Sequence, residues 1–180
     1  IPARVLRCCA PELSPVLTRL YRLSLKTRTV PICWKLANVQ PVPKKGSRAD
    51  PCNYRPIAIT SILSNVMEKV INSKLLTYLE QNDLLSDSQY GFRRGRSTGD
   101  LLVYVTHCWG EAIEKHGEAL AVSLDISKAF DRVWHASLLS KLPAYGIPAG
   151  FCCWISDFLS KRSIRVVIDG CSSDLMAIDA

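Results

Sequence analysis

The chain has 180 residues, 48% hydrophobic and 22% charged, the balance of one globular domain or large lobe with its own core, which excludes disorder as the dominant state. No apolar run approaches the roughly 18–20 residues that span a bilayer, and two arginines within the first seven residues, with no apolar stretch behind them, lead us to expect no secretory signal in these residues. The formal charge of +7 is uneven: residues 1–96 carry 16 Lys and Arg against 6 Asp and Glu, and residues 97–180 carry 7 against 10, so a polyanion along the first part and cations in the second are expected.

The first residue is Ile1 and the first methionine is Met67, as expected of an excerpt from a longer product. Eight cysteines contain no C-x-x-C spacing, and His107, His116 and His135 form no ligand pair on a helix face. Reduced, mostly buried thiols are expected, in an intracellular protein, rather than a disulfide scaffold or a zinc site.

Leucines at near-helical spacing among arginines predict a helix over 11–26, with Pro15 tolerable in its first turn and Pro31 closing it. The Pro-bounded stretch 34–43 alternates roughly and predicts an edge strand. A polar loop over 44–53 leads to an extended piece over 54–60. Residues 61–80 predict an amphipathic helix burying Leu63, Val66, Met67, Val70, Ile71, Leu75 and Leu79. After a Gly-punctuated basic loop over 89–96, Ser97-Thr98-Gly99-Asp100 reads as a capping box. It opens a helix with Leu101, Leu102, Val105, Trp109, Ala112 and Ile113 on its buried side, ended by Gly117.

The short apolar run 119–124 predicts a central strand buried on both faces, ended by Asp125. A helical segment from Ser127, helices over 135–142 and 148–160, and a hairpin about Gly170 complete the chain. Helices and short strands mixed in this order predict an α+β fold.

Chemistry concentrates at Asp125. A carboxylate at the C-terminal end of a buried strand can be held rigidly towards a hard cation such as Mg²⁺, and the N–H groups of the following turn can meet a phosphate. Phe130 can return beside the same mouth after one turn. Taken alone, the same residues could be a helix cap and a core ring.

Four segments stand in order: Val42-Pro43-Lys44-Lys45-Gly46, Asn53-Tyr54-Arg55-Pro56-Ile57, Gln89-Tyr90-Gly91-Phe92-Arg93-Arg94-Gly95-Arg96-Ser97-Thr98, and Ser123-Leu124-Asp125-Ile126-Ser127-Lys128-Ala129-Phe130-Asp131. Together they resemble the reverse transcriptase of non-LTR (LINE-type) retrotransposons, most nearly jockey-like elements, from about residue 30 to the C-terminus. The resemblance implies a right-hand polymerase fold, present as fingers and the N-terminal part of a palm: a helical lead-in over 1–30, a fingers-like region over 31–118 and a partial palm over 119–180. It implies RNA-directed DNA polymerase activity in the full-length parent by two-metal nucleotidyl transfer.

Residue by residue, Asp125 matches the first catalytic aspartate, which with the Ile126 main-chain carbonyl binds Mg²⁺, or Mn²⁺ in its place. Phe130 matches the steric gate under the sugar, where a bulky ring leaves no room for a 2′-OH. The Lys128–Ala129 backbone runs beside the triphosphate. Lys44 and Arg55 match the cations that grip it, one as a point charge and the other as a fork; Lys45 is the alternative to Lys44. Arg93, Arg94 and Arg96, between glycines, suit a nucleic-acid backbone, with Phe92 expected in the core.

The implied partners are an RNA template, a DNA primer, deoxynucleoside triphosphates and the rest of a polyprotein, with no membrane. The implied location is the nucleus, at the integration site. The family's later palm carboxylates have no match, since Asp169, Asp174 and Asp179 do not fall in their pattern. The chain by itself is therefore expected to be inactive. A non-catalytic nucleic-acid-binding relic of such an element is the alternative.

Overall fold

A computed structural model describes residues 3–178. Helix α1 (Ala3–Cys8) leads into α2 (Ala10–Thr27). Pro15 falls inside α2 rather than in its first turn, because the helix begins at Ala10; its missing N–H leaves one intrahelical bond unmade. The helix ends before Pro31. Arg28 turns left-handed at φ 57°, its N–H reaching Leu25 O, while Thr29 N–H reaches Ser24 O at 3.1 Å. This is a Schellman closure on a residue other than glycine.

The sheet has the order β2-β1-β3-β4, with β5 also on β3. Its strands are β1 (Leu36–Pro43), β2 (Tyr54–Ile59), β3 (Arg162–Ile168), β4 (Cys171–Ser172) and β5 (Met176–Ile178). The β1–β2 pair is antiparallel and the β1–β3 pair parallel, so the chain has mixed α+β content and a mixed sheet. The expected edge strand is thus an interior strand. Its prolines fit because β3 pairs only with Leu36 to Val39, leaving Pro41 and Pro43 beyond that ladder. On the other side, Lys44 N–H donates to Asn53 O at 2.6 Å. Counting back in twos, Pro41 faces Pro56 at a position that needs no hydrogen bond. The hairpin about Gly170 is present: Asp169 and Gly170, at φ 49° and 81°, join Ile168 to Cys171 in a two-residue turn with both residues left-handed.

Helix α3 (Ile62–Gln81) forms where the apolar spacing predicts it. Leu63, Met67 and Ile71 pack with Val30, Trp34 and Trp154 into the core, joined by Leu20, Tyr21, Phe151, Ile155 and Phe158. Val66 and Val70, expected in that core, line instead an apolar groove of about 830 Å³ against α1 and α2. The seven expected positions span too wide an arc for one neighbour to cover.

The helices α5 (His135–Lys141) and α6 (Ala149–Leu159) follow. Trp154 on α6 stacks on Phe158 at 5.4 Å and donates its indole N–H to Ser24 Oγ at 3.0 Å, and Ser24 in turn donates to Thr29 O. Lys35 is buried, its Nζ 2.9 Å from Asp157, whose carboxylate also accepts the Val30 N–H at 2.7 Å.

The chain divides into two compact units, one of Leu76–Phe130 and one of the remaining described residues. In the former, α4 (Thr98–His116) opens on the expected capping box: Ser97 Oγ accepts from Asp100 N at 3.2 Å, and Asp100 Oδ2 accepts from Ser97 N at 2.8 Å. The Ser97 hydroxyl bond, then the Ser97 N–H, hold the Asp100 carboxyl below the ordinary carboxylate range. Gly117, at φ 83°, ends the helix. Its apolar stripe is not buried as expected, since Leu102, Trp109 and Ile113 stay exposed and no residue of α4 is buried.

Seven of the eight cysteines are exposed and Cys152 is half-buried, against the expectation of buried thiols. They occupy helix junctions, turns, outer helix faces and the short strand β4 rather than core stripes. Among the described residues, no helix is long and apolar enough to cross a membrane.

Candidate functional site

The β1–β2 hairpin carries the first cations. Along β1 the odd positions Ala37 and Val39 are buried, so the even positions Asn38, Gln40 and Val42 share the opposite face. Arg55 stands across from Val42, and Lys44 continues the even series opposite Asn53. Lys44 and Arg55 are thereby diagonal neighbours on one face of the hairpin, at about 7–8 Å for such a pair. Lys45 is the next residue out, in the turn. Gly46 shapes that turn at φ 125°, where a Cβ would meet the Asn53 side chain at 2.9 Å.

Arg165, which the sequence reading did not single out, adds a third cation to this face. It pairs with Asn38 in the parallel register and donates Nε to Asn38 Oδ1 at 2.8 Å. Its only advance signal would have been the β1–β3 register, and the two strands lie more than a hundred residues apart.

In the Leu76–Phe130 unit, two of the three loop arginines are held by residues that precede the loop, Glu80, Ser86 and Asp87. Arg93 donates Nη1 to Ser86 O at 3.0 Å and lies 3.5 Å from Glu80, its buried Nε without a hydrogen bond. Arg96 bonds the main-chain carbonyl of Asp87, meets its carboxylate at 2.9 Å and covers the Tyr90 ring at 5.1 Å. Arg94 is exposed. Phe92, expected in the core, is 83% exposed; the two anchored arginines fix the loop and leave the residue before them projecting.

The run 119–124 is neither a strand nor buried. It has no regular structure, and Leu120, Val122 and Leu124 are exposed. A strand exists only through a partner's N–H and C=O groups, and among the described residues no ladder reaches this run. Asp125 and Ile126 are likewise exposed and irregular. The chain then turns through Lys128, left-handed at φ 54°, into a 3₁₀ turn over Ala129–Arg132. That turn carries Phe130, 80% exposed and edge-to-face with Phe92, ring centroids 6.2 Å apart.

Asp125, Ile126, Lys128, Ala129, Phe130 and the loop arginines thus fall in one compact unit, and Lys44 and Arg55 in the other. Among the described residues no three His, Cys, Asp or Glu side chains come together as a metal cluster. Asp125 with the Ile126 carbonyl supplies one carboxylate and one main-chain oxygen, short of the several carboxylates that a two-ion centre needs. The donor set within this chain does not fit such a centre, and no step is derived through it.

Residues 42–175 match the family model for reverse transcriptase (RNA-dependent DNA polymerase). The chain is 31% identical over 178 residues to the RNA-directed DNA polymerase from mobile element jockey of Drosophila melanogaster, covering 98% of this chain and 19% of that protein. The Drosophila funebris protein of the same description matches with the same figures. A Pol polyprotein from the type-1 retrotransposable element R2 of Popillia japonica is 32% identical over 157 residues, covering 83% of this chain and 21% of its own length. The chain spans about a fifth of the length of these relatives.

Proposed function

We propose, for a chain that belongs to the reverse transcriptase (RNA-dependent DNA polymerase) family, that it forms the fingers and first part of the palm of a right-hand polymerase of non-LTR retrotransposon type. In this reading 1–30 are a helical lead-in, 31–118 the fingers and 119–180 the partial palm. The parent enzyme copies an RNA template onto a DNA primer in the nucleus, at the integration site, and the rest of the polyprotein supplies the remaining carboxylates. The family's divalent cation is read here as Mg²⁺, with Mn²⁺ as its substitute. It would lower the charge on the reacting phosphate when bound.

The reading is carried by the hairpin register that sets Lys44 and Arg55 on one face. Two cations side by side match a triphosphate, Arg by its fork and Lys by its point charge, and the same register favours Lys44 over Lys45. The primer 3′ oxygen forms a bond to the α-phosphorus of a deoxynucleotide as its hydroxyl proton passes to solvent, and the α–β phosphoanhydride bond breaks to release pyrophosphate. Lys44 and Arg55 hold the departing phosphates. Asp125 with the Ile126 carbonyl stands at the reacting end, and Phe130 lies under the sugar and excludes a 2′-OH.

In a protein of the relatives' length, Lys44→Ala and Arg55→Ala each raise the deoxynucleotide KM about tenfold or more, the loss of a charge-assisted phosphate contact of about 1.5–3 kcal/mol. Primer–template affinity stays constant. A KM unchanged in both variants would remove the triphosphate role from this hairpin.

The loop over 89–96 takes the nucleic-acid backbone in the same reading. Arg94 makes the direct phosphate contact, and Arg93 and Arg96 add to the local field while holding the loop in shape. Arg94→Ala lowers the salt slope of primer–template binding by about 0.7–0.9. The triple change of Arg93, Arg94 and Arg96 lowers it further and also loosens the loop. If fluorescence anisotropy across a salt series gives the same slope for Arg94→Ala and the parent, the loop is only a solvated basic face.

A further inference from the structure

The Phe92–Phe130 contact joins two segments 38 residues apart in sequence, and neither ring has the core surroundings that would account for it: the rings are 83% and 80% exposed. Both segments use unfavourable backbone to make it. Phe92 itself is left-handed at φ 58°, as is Lys128, two residues before Phe130, at φ 54°. A bulky side chain in that region is a genuine outlier, and such strain persists where the surroundings over-determine it. Here the surroundings are identified. Arg93 is fixed on Ser86 and Glu80, and Arg96 on Asp87 and Tyr90, so the chain either side of Phe92 has little freedom to relax.

We infer that Phe92 is a positioning residue for Phe130, holding the Phe130 ring by its edge-to-face contact so that the loop over 89–96 sets how closely a sugar is discriminated. The inference rests on the reading of Phe130 as the sugar gate. A ring that rejects one hydroxyl must be held to within about the width of an atom. An exposed phenylalanine is free to change rotamer about χ1. The contact with Phe92, at 6.2 Å and 84° between ring planes, lies in the favourable range for an aromatic pair and restricts that freedom. The loop that grips the nucleic-acid backbone and the ring that reads the incoming sugar are thereby one mechanical unit.

The test compares ribonucleotide with deoxynucleotide incorporation, as the ratio of kcat/KM values, in a protein of the relatives' length. Phe130→Val loosens discrimination strongly. Phe92→Asn, which removes the ring but tolerates the left-handed backbone, loosens it by about two- to tenfold, the span set by the free energy of such a pair, with Tm unchanged. Phe92→Tyr restores the parent ratio, and Phe92→Asn adds little in a Phe130→Val background. If Phe130→Val loosens discrimination and Phe92→Asn does not, the positioning role is overturned and the gate stands. If Phe130→Val changes nothing, the gate reading falls and takes the inference with it.

A second measurement needs no activity. In the 180-residue chain labelled with 4-fluorophenylalanine, the Phe130 resonance, identified by its loss in Phe130→Leu, shifts in Phe92→Asn. An unmoved resonance overturns the contact itself.

Discussion

Asp125→Asn, made in a protein of the relatives' length, lowers primer extension on an RNA template by about 10³-fold, on the scale of losing a preorganised electrostatic group at a reacting centre. The substitution keeps the shape of the side chain and removes its charge, so the loss reads the carboxylate and not its volume. Folding should not change, because Asp125 is exposed and lies in a segment without regular structure. The two readouts together are decisive. Collapse of extension at constant Tm and constant primer–template affinity assigns Asp125 to the chemistry. Extension within tenfold of the parent would return it to the role of a solvent-facing residue before a turn, and would leave the proposed palm without its first carboxylate.

The largest expected effect on stability is at Asp157. Lys35 Nζ is buried against its carboxylate at 2.9 Å, and the Val30 N–H bonds the same oxygen. Asp157→Ala leaves a buried ammonium and a main-chain donor without that partner, a loss of about 3 kcal/mol and, for a chain of this size, about 6–12 °C in Tm. Burial pushes the Asp157 carboxyl up. The Val30 N–H, the Lys35 hydrogen bond and the charges of Lys35 and Lys161 outweigh it, so the group is held below the ordinary carboxylate range.

A lowered folded-state value fixes the sign: the contribution is complete above the unfolded value of about 3.9 and is lost as pH falls through the folded one. The gap between the parent and Asp157→Asn therefore narrows as pH drops below about 4, and is widest at neutral pH. Replacing the pair together, Lys35→Met with Asp157→Leu, recovers the part of the loss that comes from the unpaired ammonium, while the Val30 N–H stays without this acceptor. Thermal unfolding across pH checks all three statements. A gap independent of pH would show that the site contributes by packing alone.

What could be read from the sequence is what depends on near neighbours. The helices α3 and α4, the Ser97 capping box, the Gly117 stop and the Asp169–Gly170 turn each answer to spacing within a few residues, and each is present. Two of the errors share one cause, which is dependence on a distant partner. The strand β1 became interior because β3, more than a hundred residues on, pairs beside its proline-free half. Apolar periodicity at 119–124 and along α4 signals a preference for burial and does not supply a covering surface.

The candidate site divides in the same way. Lys44, Arg55, Asp125 and Phe130 are proposed on their motif positions in the sequence. That Lys44 and Arg55 share a face, that Arg165 joins them, and that Arg93 and Arg96 are held by Ser86 and Asp87 just before their loop are consequences of register and packing. Phe92 was misassigned because an aromatic ring beside glycines carries no sign of which way the backbone turns.

The stretch that ends at Asp125 also governs how the isolated chain behaves at high concentration. Leu120, Val122, Leu124 and Ile126 alternate with Ala121, Ser123 and Asp125, and all four apolar residues are exposed. That is a ribbon of period two with its main-chain donors and acceptors open, the pattern by which one molecule templates a strand on the next. The only charge within it is Asp125 at one end, a single gatekeeper of the kind that opposes such stacking. The residue proposed to serve the chemistry thus also limits self-association, so the loss of its charge favours assembly into β-aggregates while leaving each folded unit intact.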